Sequence, residues 1–291
     1  MVSSRRLRAL AGAGAALAAW GLFEAQWVEE REIAVGVPGL PAQLDGLTIL
    51  HLSDFHAGTP SLNLRAVRKA AEFGAQVQPD LVVLTGDILS HGRARAAVVA
   101  AMEGLHPPLG IFAVLGNHDV GDTHDPFSRG IVISDWGSAP VTVLRDRSVV
   151  VPWQGCEIEL AGVDPLLFAQ ARNLPPEQLF TRPGAVRVLL SHFPEVPAKM
   201  PAGTCSLALC GHLHGGQICL PGPHGKVRLS HRSSRFDEGV FEEPDTTVVV
   251  SRGLGTTLVP FRLFARPEVS LLRLHPRAGV RDRIDGRILD S

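Results

Sequence analysis

The sequence has little cysteine, almost no excess of charge, and no apolar run long enough to cross a bilayer comfortably. Its four cysteines, Cys156, Cys205, Cys210 and Cys219, form no CxxC pair and no zinc-ribbon spacing, so they give no ground for a structural cysteine-zinc site. Cys205 and Cys210 stand at the two ends of a predicted strand, CSLALC, and read as buried thiols. Lysine plus arginine total 28 against 29 for aspartate plus glutamate. The bulk charge therefore carries no polyanion footprint, and no nucleic-acid partner is expected. Repeats and low-complexity tracts are missing too. What the chain does have is 291 residues that are 45% hydrophobic, enough for one large core or two small ones.

The amino terminus sets Arg5, Arg6 and Arg8 before an uncharged stretch from Ala9 to Phe23, the layout of a secretory n-region and h-region. Ser4-Arg5-Arg6 is similar to the opening of a twin-arginine export signal, although Arg8 and Ala9 stand where that pattern prefers apolar residues. Fifteen residues fall short of the roughly 20 that span a bilayer. An Ala-rich helix buried in the globular domain is the alternative. Residues 1–30 are expected to be a signal or membrane anchor, with the protein at the cell membrane or exported to the envelope. Residues 31–46, which include VPGLPAQLDG, read as a connector; 47–275 as the main domain; and 276–291 as a polar tail.

Within the domain, LTILHLSD reads as a strand, Leu62 to Val77 as an amphipathic helix, DLVVLTGD as a second buried strand, Arg93 to Glu103 as a helix and GIFAVLGNHD as a third strand. Strands alternating with helices argue for parallel βαβ units, whose ligands collect beyond the carboxyl ends of the strands. The later part changes character: VTVLRDRSVVV, CEIELAGVD, VRVLLSHFP, CSLALCGHLHGGQICLP and TTVVVSRGLG are β-rich runs punctuated by Gly, Pro and Asp. They predict a second sheet packed against the first.

Five apolar runs end in the same kind of place. ILHLSDFH gives Asp54 and His56, VVLTGD gives Asp87, FAVLGNHD gives Asn117 and His118, VLLSH gives His192, and LALCGHLH gives His212 and His214. In an extended chain, side chains at i and i+2 point the same way. Asp54 and His56 would then project together, and His212 and His214 would stand roughly 6 to 7 Å apart at their Cα atoms. A lone strand-end histidine is ordinarily structural, but seven imidazole, carboxylate and carboxamide groups at one edge, with His118 beside them, match what divalent metals with nitrogen and oxygen ligands require.

D-x-H, G-D, G-N-H-D, a lone His and G-H-x-H, in that order, resemble the calcineurin-like metallophosphoesterase superfamily over about Leu47 to Leu274. CGHLHGGQICLP and SRGLGTTLVPFRLFARPE resemble its membrane-associated or exported bacterial branch, some members of which are assigned to hydrolysis of UDP-2,3-diacylglucosamine. The resemblance implies an α/β, four-layer fold of two mixed sheets packed face to face and flanked by helices. It also implies two divalent ions, Mn, Fe or Zn. Asp54, His56 and His214 would hold one, Asn117, His192 and His212 the other, and Asp87 would bridge them. His118 would be the general acid for the leaving oxygen. Many relatives carry an Asp three residues after the bridging Asp to orient that histidine; here the position is Ser90.

Asp119 has two open readings, a turn carboxylate or a functional group. Arg252 is a candidate phosphate contact or a solvated loop arginine. His91 and His124 are candidates for the substrate rim, and His51, on the opposite strand face from Asp54, is expected to be packed or hydrogen-bonded. The expected reaction is metal-assisted hydrolysis of a phosphodiester or pyrophosphate bond, in a substrate that could be lipid-linked. The rival from another class is a non-catalytic metal-binding scaffold on the same fold.

Overall fold

The computed structural model describes residues 4–134, 136–166, 176–223, 225–230 and 234–277. Helix α1 (Ser4–Glu24) precedes strand β1 (Glu29–Pro38), followed by β2 (Thr48–Leu52), α2 (Asn63–Val77), β3 (Leu81–Thr85), α3 (Arg95–Glu103), β4 (Ile111–Val114) and β5 (Val141–Val143). The second half is almost all strand: β6 (Arg147–Trp153), β7 (Cys156–Gly162), β8 (Val186–Leu190), β9 (Leu207–Cys210), β10 (Cys219–Gly222), β11 (Gly225–Arg228), β12 (Gly239–Glu242), β13 (Thr247–Val250) and β14 (Glu268–Arg277).

Two six-stranded mixed sheets result, in the orders β1-β14-β2-β3-β4-β5 and β12-β13-β9-β8-β7-β6, with β10 and β11 forming a separate hairpin. Strands β2, β3 and β4 run parallel to one another, as do β8, β9 and β13. Such central strands are covered on both faces and so are apolar throughout. LVVLT of β3 and LALC of β9 are buried at every residue. Alternation divides the side chains. Ile49, Leu81, Val83 and Val114 meet Leu160, Val188, Leu190, Leu207 and Leu209 between the sheets. On the other face of the first sheet, Leu50, Leu52, Val82 and Leu84 take Ala66, Val67 and Ala70 of α2 and Val98 and Met102 of α3. The outer face of the second sheet is covered by Leu179, Phe180, Val196 and Phe236. This is the expected four-layer α/β arrangement.

The structure corrects the domain boundaries. The connector expected at 31–46 is largely an edge strand: β1 pairs in parallel with β14 over ten residues, from Glu29 against Glu268 to Pro38 against Arg277. The turn residues Pro38, Gly39 and Pro41 mark only its end, where a proline is tolerated in an edge strand. The first sheet thus takes in β1 from Glu29 as well as Pro276 and Arg277 of the expected tail; residues 278–291 of that tail lie outside the described residues.

Helix α1 projects from this body. Its side chains from Leu10 to Trp20 are exposed, whereas Gly21, Glu24 and Ala25 are buried. Ala265 N–H donates to Glu24 Oε1 at 2.9 Å, Arg262 N–H donates to the Gly21 carbonyl at 3.1 Å, and Trp20 Nε1 donates to Glu24 Oε2 at 3.0 Å. No helix among the described residues is long and apolar enough to cross a membrane.

Candidate metal centre

The carboxyl ends of β2, β3 and β4 in one sheet and of β8, β9 and β13 in the other converge, and the loops leaving them carry all the motif residues. Co-location does not come from extended backbone, however. Asp54, His56, Asp87, His212 and His214 all have left-handed φ, between 42° and 77°. The i, i+2 argument therefore fails at both D-x-H and H-x-H, and each chain segment coils as it leaves its strand. His212 and His214 diverge to different partners instead of standing side by side. Non-glycine residues in this conformation are strained and persist where their surroundings over-determine them. Glycines let the loops close: a Cβ on Gly116 would overlap the Asp87 carboxylate, and one on Gly211 would overlap Ser53 and Asp54.

Three groups of possible ligands gather with donor atoms within 4.8 Å of one another: Asp54, His56 and His214; His56, Asp87 and His118; and Asp87, His192 and His212. His214 Nε2 lies 3.5 Å from Asp54 Oδ1 and 3.1 Å from His56 Nε2. Asp87 Oδ2 lies 3.4 Å from His56 Nε2 and 3.3 Å from His192 Nε2. Asn117 Oδ1 is 3.1 Å from His192 Nε2, and its Nδ2 donates to the Asp122 carbonyl at 3.0 Å. That outward bond turns the amide oxygen into the cluster.

Partners behind the cluster fix the rings. His192 Nδ1 sits 2.8 Å from the Thr85 carbonyl, which requires N–H there, so that in the neutral ring Nε2 carries the lone pair and faces in. Ser90 Oγ lies 3.3 Å from His56 Nδ1. Ser53 Oγ donates to Asp54 Oδ2 at 2.6 Å, Thr85 Oγ1 donates to Ser53 at 2.8 Å, and His51 Nε2 is 2.9 Å from Thr85 Oγ1. His51, expected only to be packed or hydrogen-bonded, thus ends a polar chain that reaches Asp54.

The donor set fits divalent cations. His56 and His214, and likewise His212 and His192, oppose ring nitrogens at 3.1 Å, a separation at which the pair must share a proton or a cation. Burial pulls His56 down to about 3. Burial, with His56 and Arg262 alongside, holds His214 well below the imidazole range. Both are therefore neutral, as ligation requires. Burial and the Asp87 charge raise Asp54 to about 6. At Asp87 burial acts in the same upward sense, but His192 and His56 outweigh it and hold the carboxyl well below its usual range. Burial opposes the charge on His192, yet Asp87 and Asp54 bring it up to about 9.

His118 joins the cluster edge-on to the His56 ring, 4.5 Å between centroids. Its backbone N–H donates to Asp87 Oδ1 at 2.8 Å and its Nε2 lies 3.0 Å from Thr123 Oγ1, while buried Nδ1 has no partner. Asp119 is a turn carboxylate: it accepts from Ile88 N–H, Leu89 N–H and Gly116 N–H at 2.9, 3.1 and 2.8 Å, tying the second motif to the third.

Two residues expected as substrate contacts are engaged with other partners. Arg252 is buried and spent on carboxylates, bonding Glu268 at 2.8 Å and Glu29 at 2.7 Å, with Glu238 at 4.0 Å. TTVVVSR gave no sign of these partners, one of which, Glu29, is 223 residues away in sequence. His91 accepts from Arg93 N–H at 3.3 Å, capping the short turn before α3, and it belongs to none of the three ligand groups. His124 is exposed. The arginine that does serve the site is Arg262, fully buried. It donates to the carbonyls of His214, Gly255, Ala265 and Arg252 at 2.9 to 3.2 Å. Gly255 N–H in turn donates to the Asp54 carbonyl at 2.7 Å. Its only sequence signal is its place in FRLFARPE.

The family described as calcineurin-like phosphoesterase matches residues 47–216. The chain belongs to this family. Among relatives of this phosphoesterase, the uncharacterized metallophosphoesterase YkuE of Bacillus subtilis is 29% identical over 268 residues, covering 87% of each chain. Phosphodiesterase YaeI of Escherichia coli is 30% identical over 230 residues, covering 78% of this chain and 81% of its own. UDP-2,3-diacylglucosamine pyrophosphatase LpxG of Chlamydia trachomatis is 26% identical over 290 residues, covering 80% and 84%. The phosphoesterase is a metal-dependent phosphoric ester hydrolase, so the scaffold reading falls away.

Proposed function

We propose that this phosphoesterase hydrolyses a phosphodiester or pyrophosphate bond with two divalent cations. Asp54, His56 and His214 hold one; Asn117, His192 and His212 hold the other; Asp87 serves both. The observation that carries this reading is the meeting of two ligand groups at one shared carboxylate, Asp87, which lies within 3.4 Å of a ring nitrogen on either side. Mn, Fe and Zn all accept this ligand mix.

Divalent cations held by these residues would supply hydroxide from water near neutral pH and would neutralise charge on the phosphoryl oxygens. The protein's own groups do the rest. Asn117 contributes a neutral oxygen, so one position adds no negative charge to a site that receives an anion. His118 gives its proton to the leaving oxygen. Thr123 holds the His118 ring from the side where Ser90 cannot, because the Ser90 hydroxyl faces His56.

The substrate is lipid-linked, of the kind of UDP-2,3-diacylglucosamine, and the enzyme works at the cell membrane or in the envelope, held through α1. The name of the relative LpxG supports the first statement. The second draws on an apolar helix whose first turns carry the exposed arginines Arg5, Arg6 and Arg8. Purified full-length protein loaded with Mn²⁺ should hydrolyse lipid-linked pyrophosphates faster than soluble phosphodiesters and sediment with membranes. Equal rates on both would remove the lipid reading, and no turnover of either would remove the hydrolytic one.

A further inference from the structure

Beside the metal centre lies an open groove of about 230 Å³, lined by Thr59, Pro60, Phe127, Thr256, Leu258 and Val259 among others. It is built from three segments, each tied to a site residue. Thr59 follows the first motif and donates through Oγ1 to the His56 carbonyl at 3.1 Å. Asp125 stitches the other two walls together, accepting from Phe127 N–H at 2.9 Å, Thr257 Oγ1 at 2.9 Å and Leu258 N–H at 3.1 Å. Asp125 N–H also donates at 3.1 Å to the Thr123 hydroxyl that contacts His118.

The groove's polar atoms are used up in its own walls. Thr59 Oγ1 is taken by the His56 carbonyl and Ser61, Thr256 Oγ1 by Asn63 at 3.1 Å, and Thr257 Oγ1 by Asp125. What remains facing the opening is mostly carbon, which suits a hydrocarbon better than a sugar or a peptide. Leu258 is 57% exposed and Phe127 44%. Leu258 also has a left-handed φ of 61°, a conformation that a non-glycine residue keeps only where its surroundings impose it. Gln217 holds it there, bonding both the N–H and the carbonyl of Thr257 at 3.0 and 2.9 Å. An apolar side chain forced outward at a strained position beside a reaction centre marks a binding feature. The same loop then runs directly to residues 261–265, on which the last turn of α1 rests.

We propose that this groove is an alkyl-chain subsite, holding one hydrocarbon chain of a lipid-linked phosphoester whose phosphoryl group lies in the metal centre. The proposal rests on the hydrolytic reading of that centre.

The test uses full-length, Mn²⁺-loaded protein and nitrophenyl alkyl phosphates from methyl to dodecyl, kept below their micelle concentrations. kcat/KM should rise by roughly two- to fourfold per added methylene, the range for half to full burial of a CH₂, and level off once the groove is full. In parallel, metal-stripped protein should bind a dansyl-labelled undecanoyl chain. Phe127→Ser and Leu258→Asp should weaken that binding at least tenfold and flatten the chain-length series. Leu220→Asp, at an apolar residue 49% exposed on β10, should not. Aspartate tolerates the left-handed backbone at 258, so loss of binding there is not loss of fold. A flat series, or equal probe binding by Leu258→Asp and Leu220→Asp, overturns the subsite. So does a Leu258→Asp protein that loses vesicle binding yet keeps the chain-length series, which would make the loop a membrane contact. Failure to cleave even the methyl ester strikes the hydrolytic reading, while the probe still reports on the groove.

Discussion

His118 and Asp87 sit 2.8 Å apart, backbone N–H to carboxylate, yet their substitutions should fail differently. Asp87→Ala removes the one carboxylate shared by both ligand groups, so two cations would face each other with less anionic charge between them. Metal content and activity should fall together. His118→Ala removes no proposed ligand; metal content should stay near wild type while turnover drops by on the order of 10² to 10⁴. The deficit should shrink for nitrophenolate leaving groups, which need little protonation. Elemental analysis beside kinetics on good and poor leaving groups decides between the roles; metal loss in His118→Ala as complete as in Asp87→Ala would make His118 a ligand. Thr123→Val tests the replacement for the missing Asp at position 90. It should lower turnover of alkoxide leaving groups several-fold, spare nitrophenolate, and be rescued by Thr123→Ser, which restores the hydroxyl.

At the scale of elements, the polar residues that end five apolar runs were legible because parallel strands must be apolar throughout and must stop where they reach water, so Asp54, Asp87, Asn117, His192 and His212 stand out against their neighbours. The geometry of those ends was not legible. Left-handed turns at Asp54, His56 and His214 are set by tertiary bonds, such as Gly255 N–H to the Asp54 carbonyl, contributed from two hundred residues away. The pairing of β1 with β14 is equally non-local, and a polar edge strand beside a Pro/Gly cluster looks like a linker. The roles of Arg252 and Arg262 were hidden for the same reason: nothing nearby in sequence shows which guanidinium meets carboxylates and which meets carbonyls. The last turn of α1 belongs to the domain in this structure, with Glu24 3% exposed and accepting from Ala265 N–H. Glu24→Ala leaves that buried donor unsatisfied, which costs about 1 to 3 kcal/mol. A chain beginning at Trp20 should melt like the full-length protein, whereas one beginning at Glu29 should melt several degrees lower, as about 2 to 4 °C per kcal/mol implies for a domain of this size. Thermal unfolding of the two truncations checks it, and coincident melts would show that the latch contributes nothing.

At the scale of the whole molecule, the metal centre lies on the joint between the sheets. Asp54, His56, Asp87 and Asn117 come from the first, His192, His212 and His214 from the second. Cations bound there hold the two sheets together and stabilise the fold by mass action, about 2.7 kcal/mol for a site at a hundred times its Kd. Chelation should therefore lower the melting temperature, and added Mn²⁺ should restore it in a concentration-dependent way. Chelated protein should then become sensitive to acid through His51, which burial lowers from 6.5 to about 4 against the opposing pull of Glu268. Because the folded pKa lies below the unfolded one, its contribution is present above pH 6.5 and is lost as pH falls toward 4; between pH 7 and pH 5 the loss is about 2 kcal/mol. His192, raised to about 9, has the opposite sign, its contribution being full below 6.5 and lost as pH rises through 9. A comparison of wild type with His51→Gln cancels it. The variant should melt lower at pH 7, having lost the bond to Thr85, but the gap should narrow by about 4 to 8 °C at pH 5, because glutamine has no proton to take up. A gap of constant width in chelator across that range would show that His51 does not resist protonation in the folded chain.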